Sequence, residues 1–261
     1  MKRLILLVVV LALMITAVGC TSSGDHLAAI KEAGKVVVGT SADYPPFEFV
    51  DEAGVTTGFD VELMNEIGKR MGVTIEWVDM PFDSLIAAVQ EGKIDMSIAA
   101  FNYDEERDKT VDFTDAYYTT EDSFIVLEGF ASDLSDPMEL ANYTVGAQSG
   151  TVQDSWITDN LVTPGLLPET KYLRYERVDQ AALDLQAGRI EVLMADYVPA
   201  QAIVSQFGGM TIVFHGVLST GPLNIVIPEG DKDLQEEINR ILKELQADGF
   251  VDALAMKYFA E

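Results

Sequence analysis

Short apolar runs, bounded by Gly, Pro, Asp or Asn, alternate along this chain with longer stretches in which apolar residues return every three or four positions. Lys35 to Thr40 is a β-branched run that predicts a first strand, followed by Ser41 to Phe49, where Pro45 and Pro46 impose an extended course that presents Tyr44 and Phe47. Gly58-Phe-Asp60 leads into a predicted helix over Val61 to Met71, with Leu63, Ile67 and Met71 on one face. Val73 to Val78 is a second strand, Asp83 is placed to cap a helix running to Glu91, and Met96 to Ala100 is a third, buried strand. This βαβαβ rhythm predicts parallel pairing, with ligand chemistry at the carboxyl ends of the strands. Asp136-Pro137 opens a short helix, and Tyr143 to Ala147, Tyr172 to Tyr175, a helix over Val178 to Ala187 and a strand ending at Asp196 make a second βα set. Leu223 to Ile227 reads as an extended return to the first set, which then receives helices over Asp231 to Gly249 and Phe250 to Phe259.

The two sets share a degenerate repeat. Ala88-Val-Gln-Glu-Gly-Lys-Ile-Asp-Met-Ser-Ile-Ala99 aligns without gaps on Asp184-Leu-Gln-Ala-Gly-Arg-Ile-Glu-Val-Leu-Met-Ala195. Each copy is a helix end, a Gly suited to the left-handed position that stops a helix, a basic residue and an apolar strand. Two copies this far apart indicate two similar lobes rather than a solenoid. The predicted fold is therefore α/β and two-lobed, with residues 34–120 and 222–261 in one lobe, 121–221 in the other, and two crossings acting as a hinge.

Beyond the first repeat, Asp104 is a good helix N-cap and Arg107 follows one turn later. A guanidinium beside the free amides of a strand end and a helix start matches a carboxylate in shape and sign, although a lone Arg often pairs only with neighbours such as Glu105, Asp108 or Asp112. The residue after the aligned strand is Ala100 in one copy and Asp196 in the other. If the strand ends face each other, Arg107 and Asp196 offer opposite charges across a cleft, which is what an α-amino acid zwitterion requires. Gln148-Ser-Gly-Thr151 forms a polar turn at a helix N-terminus, whose free N–H groups suit a carboxylate.

Charge narrows the partners. The chain carries 17 basic and 43 acidic side chains, a net charge of −26, which argues against nucleic acid and anionic headgroups. Met1-Lys-Arg followed by the apolar Leu4 to Val18 predicts an export signal over residues 1–19. Cys20 is the single cysteine, so no disulfide forms within the chain, and residues 20–33 read as a tether. His26 and His215 are the only histidines, which supports neither a catalytic triad nor a histidine-rich metal site.

Taken in order, Tyr44-Pro-Pro-Phe47, Gly58-Phe-Asp60, Leu85 to Asp95, Glu106-Arg107, Val111-Asp-Phe-Thr114, Val145 to Thr151 and the C-terminal Ile241 to Phe259 resemble the extracellular solute-binding proteins of the polar amino acid uptake family. The resemblance covers nearly the whole chain after the signal. It implies that Arg107 takes the ligand carboxylate with Thr151 and the N–H of Val152, and that Asp196 and the carbonyl of Ala100 take the ammonium. Tyr44 and Phe82 would sandwich the side chain, and Ser41 and Gln148 would read its tip. Asn102 stands where relatives have Ser or Thr, and Ser41 where those binding basic or amide side chains often have Asp. Ala17-Val-Gly-Cys20 resembles a lipobox with Ala in place of the usual Leu, implying lipidation of Cys20 and anchoring at the outer face of the cell membrane, the alternative being ordinary signal cleavage nearby that leaves a soluble periplasmic protein. Implied partners are a free polar amino acid and the permease of an ABC transporter, with a monomeric protein, no cofactor and no catalysis. The rival reading is an enzyme, because cyclohexadienyl dehydratases resemble the same family. The turn Gln148 to Gln153 lacks the acid that those enzymes carry after the Gly-Thr pair.

Overall fold

The structure is a computed structural model that describes residues 23–132 and 134–259; the expected signal and Cys20 lie outside the described residues. Two sheets organise it. The first contains β1 (Lys35–Thr40), β5 (Thr74–Asp79), β6 (Met96–Asn102), β7 (Val111–Phe113) and β14 (Pro222–Pro228) in the order β5-β1-β6-β14-β7, with β8 (Tyr118–Thr119) also paired to β14. The second contains β9 (Asp122–Leu127), β10 (Val145–Gln148), β11 (Tyr172–Tyr175), β12 (Val192–Asp196) and β13 (Met210–Gly216) in the order β11-β10-β12-β9-β13. The chain crosses between the sheets twice, from β8 into β9 and from β13 into β14. A small antiparallel sheet of β2 (Asp43–Tyr44), β3 (Glu48–Val50) and β4 (Thr56–Thr57) follows β1.

The parallel core of each sheet arises from the repeated βα unit. β1 is flanked by β5 and β6, and β10 by β11 and β12, all parallel. Their crossover helices α3 (Phe82–Gln90) and α5 (Val178–Gln186) end alike, at Gly92 (φ 64°) and Gly188 (φ 69°), as the repeat predicts. The equivalence reaches into the core. A Cβ on Gly39 of β1 would sit 2.4 Å from Ile94 Cδ1, and one on Gly146 of β10 would sit 2.6 Å from Ile190 Cδ1, so each repeat isoleucine packs down onto a glycine of its neighbouring strand. In β6 every residue is buried, because helices cover both faces of a parallel sheet.

Helix α2 (Phe59–Met71) buries Leu63, Ile67 and Met71 and ends on Gly72 in the left-handed conformation. The long α7 (Lys232–Ala247) buries Leu234, Ile238, Ile241, Leu242 and Leu245, the stripe an amphipathic helix lays on a core, and α8 (Phe250–Phe259) packs against it and α2.

Several expectations change. Residues 23–33 form α1 (Ser23–Ala33) rather than a tether: Ile30 is buried, Lys31 pairs with Glu237, and His26 bridges Asp231 (2.5 Å) and Asp95 (3.1 Å). Asp83 lies inside the first turn of α3 and makes no cap, because Pro81 takes the N-cap position. The chain after Asp196 continues as α6 (Tyr197–Phe207) and then β13, which the apolar pattern did not reveal.

Candidate functional site

The carboxyl ends of β1, β6, β10 and β12 converge where the two sheets face each other, as the switch from strand to loop in an open α/β sheet predicts. A small, nearly closed cavity lies there, walled from one side by Ser41, Tyr44, Glu48, Phe82, Ala100 and Asn102 and from the other by Gln148, Thr151, Gln153 and Asp196. Eight of the ten residues expected from the sequence line it; Arg107 and Val152 stand next to it instead.

Each wall is shaped by local chemistry. Within β6, where its pairing with β14 shifts register, Ala100 adopts φ 45° while its N–H donates to Asp60 Oδ2 (2.8 Å). Asp104 then caps the next turn, accepting from the N–H groups of Glu106 (3.0 Å) and Arg107 (2.9 Å); the turn is a single 3-10 turn, Arg107–Lys109. That cap folds Arg107 back, so its guanidinium donates to the carbonyl of Asn102 (3.1 Å) and to that of Gly150 in the other lobe, over the rings of Phe82 and Phe101. Among the described residues no carboxylate lies within ion-pair distance of Arg107, so pairing with Glu105, Asp108 or Asp112 does not occur. Burial pulls its pKa down from the ordinary value, and the charge of Asp104 offsets only part of that cost.

Across the cavity, Thr151 N-caps α4 (Val152–Ile157), accepting from Asp154 N–H (3.1 Å) and donating to Gln148 O (2.8 Å). Asp196 occupies the N-cap position of α6 yet makes no capping bond, so its carboxylate turns into the cleft. There Tyr44 Oη donates to Asp196 Oδ2 (2.8 Å) and accepts the Asp196 N–H (2.9 Å). Gln153 Nε2 donates to Asp196 Oδ1 (3.3 Å) and to Asp122 Oδ1 (2.9 Å). Burial first, and then the charge of Asp122, raise the Asp196 carboxyl to about 7. It is 3 % exposed and faces no cation among the described residues.

At the far end, Ser41 Oγ (2.7 Å) and Gln148 Nε2 (3.2 Å) both donate to Asp43, which also accepts the Val178 N–H (2.6 Å). Arg177 reaches over from the second lobe to both oxygens of Asp79 (2.9 and 3.1 Å). Asn102 Nδ2 donates to the carbonyl of Thr220, at one crossing between lobes. Asp122 anchors that same crossing, accepting from the N–H groups of Leu218 and Ser219, both at 2.8 Å. Gly150 closes the mouth over Asp83, with a hypothetical Cβ 2.9 Å from Asp83 Cβ. Sequence reasoning missed Asp43, Glu48, Gln153, Asp122 and Arg177. Tyr44-Pro-Pro-Phe-Glu48 was a readable cluster, but contacts between lobes join residues too far apart in sequence for local pattern to pair them.

A sequence model of the bacterial extracellular solute-binding proteins, family 3, matches residues 36–261. The chain belongs to that family. This family 3 solute-binding protein is 31% identical over 233 residues to the L-arginine-binding protein of Pseudomonas aeruginosa, covering 86% of this chain and 88% of that one. It is 29% identical over 248 residues to the histidine-binding periplasmic protein of Escherichia coli K12, covering 92% of each. Among solved structures, a mutant of the arginine-binding protein ArgBP from T. maritima superposes with a TM-score of 0.84 at 36% identity over 90% of this chain and 100% of that one. An ancestral amino acid-binding protein described as a precursor of cyclohexadienyl dehydratase superposes at 0.78, with 31% identity over 89% and 98%. The named relatives are binding proteins rather than enzymes, and the fold is the two-lobed one the sequence implied. In the Gln148–Gln153 turn, Gln153 spends its amide bridging Asp196 and Asp122.

Proposed function

We propose that this solute-binding protein captures one free polar α-amino acid between its lobes. The observation that carries the reading is a pair of mismatched charges at one cavity. Among the described residues, Arg107 on the first lobe has no acid within ion-pair distance, and Asp196 on the second is a buried acid with no cation beside it. A zwitterion supplies both missing partners. Its carboxylate takes the place of the Asn102 and Gly150 carbonyls at Arg107, assisted by Thr151 and the Val152 N–H, and its ammonium meets Asp196 and the Ala100 carbonyl. Asn102 offers its amide to the carboxylate, Tyr44 and Phe82 flank the side chain, and Ser41 and Gln148, both backed by Asp43, meet the side chain's polar atoms. A buried charge pair left half empty costs on the order of 2–5 kcal/mol of binding. Melting curves against the common amino acids test this, since a ligand that binds only the folded protein raises its stability by RT ln(1 + [L]/Kd). One amino acid shifts the parent, and Arg107→Ala loses the shift. An unshifted parent across the panel, or an unaffected Arg107→Ala, refutes the reading.

The protein then hands its ligand to the permease of an ABC transporter while tethered, as a monomer, through a lipid on Cys20 at the outer face of the cell membrane. The family supports export, and Gly19-Cys20 after an apolar run supports the lipid. Fractionation of cells carrying Cys20→Ala tests the anchor: the variant moves from membrane to soluble fraction, and a variant that stays with the membrane refutes it.

A further inference from the structure

Glu48 and Asp60 are two fully buried carboxyls, 1 % and 0 % exposed, within hydrogen-bonding reach of each other, with Glu48 in the cavity wall and Asp60 next to it. Asp60 N–H donates to the carbonyl of Phe47 (2.9 Å), which brings the start of α2 against β3. Glu48 Oε2 and Asp60 Oδ1 are both without a hydrogen-bond partner, whereas Asp60 Oδ2 accepts from Ala100 N–H (2.8 Å) and Tyr117 Oη (2.9 Å). Two ionised carboxylates do not stay side by side in a site sealed from water, and buried oxygens are rarely left orphaned. One proton between them removes both anomalies at once.

We propose that Glu48 and Asp60 share a single proton, carried by Glu48, and that this pair is the positioning device that holds the Ala100 peptide in its left-handed turn at the pocket wall. The direction of sharing follows from the surroundings. Burial, then the Asp60, Asp43 and Asp196 carboxylates, drive Glu48 well above an ordinary glutamate, and Tyr44 and Tyr117 beside it add no positive charge. Asp60 is raised only to about 6, because burial is offset by the donors Ala100, Tyr117 and Glu48. Asp60 is thus the anion of the pair. An alanine keeps φ 45° only where its surroundings hold it there, and the N–H to Asp60 bond does so. The consequence for ligand binding rests on the reading above, in which the Ala100 carbonyl meets the ammonium; the proton itself does not.

Three measurements test it. In carbon-13 NMR of the ligand-free protein, the Glu48 carboxyl stays protonated at neutral pH, after the surface glutamates have ionised; titration together with them overturns the proposal. Glu48→Gln gives Asp60 a permanent donor, so the pH dependence of stability separates it from the parent. A carboxyl raised on folding contributes stability that is complete below the unfolded value near 4.5 and is lost as pH rises through its folded value. The folding equilibrium of Glu48→Gln therefore gains on the parent by up to about tenfold per pH unit between 4.5 and the folded value of Glu48, and profiles that run parallel from pH 4.5 upward overturn the proposal. For the positioning role, Glu48→Ala weakens binding of the amino acid found in the melting screen about tenfold, and Glu48→Gln recovers most of it. Equal affinity of Glu48→Ala and the parent, or equal loss in both variants, overturns that role. A parent that binds no amino acid refutes the proposed function alone, since the first two measurements need no ligand.

Discussion

Asp196→Asn should move stability and binding in opposite directions. The Asp196 carboxyl is raised from 3.8 to about 7, chiefly by burial and next by Asp122. At ~1.4 kcal/mol per tenfold change, keeping it ionised above that pH costs the ligand-free protein roughly 4 kcal/mol, an upper figure because relaxation and water entry reduce it. The parent therefore loses stability as pH rises from 4 through about 7, while the isosteric amide, whose single carbonyl oxygen accepts from one of the two donors Tyr44 and Gln153, does not titrate. Thermal melts of the two proteins without ligand, from pH 4 to 9, should diverge across that window and run parallel above it, with the variant more stable. Calorimetric titration at pH 8 should show the reverse for binding, a loss on the order of 2–5 kcal/mol, because an amide cannot balance an ammonium. In the parent, ligand uptake below pH 7 should release a proton, since the ammonium pulls the carboxyl back toward ionisation. A melting difference that does not vary with pH, or an unchanged affinity, would refute the assignment of Asp196 as a buried, charge-deficient acid awaiting a cation.

Other perturbations follow from the same geometry. Gly150→Ala should weaken binding while leaving each lobe folded, since φ 76° and the 2.9 Å approach to Asp83 both oppose a side chain where the lobes meet; scattering of the liganded protein should report incomplete closure. Arg177→Ala removes the two contacts to Asp79 across the cleft and should speed ligand dissociation by about tenfold at most, as the pair is partly exposed, measurable by stopped flow. His26 is raised from 6.5 to about 9, first by its bond to Asp95 and also by Asp231, so its contribution is complete below pH 6.5 and lost as pH climbs through about 9. His26→Ala should accordingly lower the melting temperature at pH 6 and match the parent near pH 10.

The repeat was the most legible part of the fold, because a helix stop, a basic residue and an apolar strand leave a dense local signature, and in both copies the helix stops at the glycine the pattern marks, Gly92 and Gly188. The two terminal helices were legible for the same reason: their apolar stripes are regular. Helix α1 was not, since a stretch this rich in Ser, Gly and Ala beside the expected lipid site reads as a spacer, and what fixes it is Ile30 in the core and His26 between Asp95 and Asp231, far along the chain. Within the site, Arg107 and Asp196 could be named because each follows a recognisable strand. Asp43, Asp122 and Glu48 could not, because their roles come from the other lobe or from a neighbouring buried charge, as with Gln148 on Asp43, 105 positions apart.

Strand β14 lies in the interior of the first sheet, between β6 and β7, although it is made after the whole of the second. As the polypeptide leaves the ribosome or the export channel, the stretch from Asp122 to Gly216 holds every strand of its own sheet, whereas the half that emerges earlier has a gap until residue 228 arrives. Maturation is therefore inverted relative to the usual order of synthesis, with the later-made half complete first and the earlier-made half waiting on its last strand.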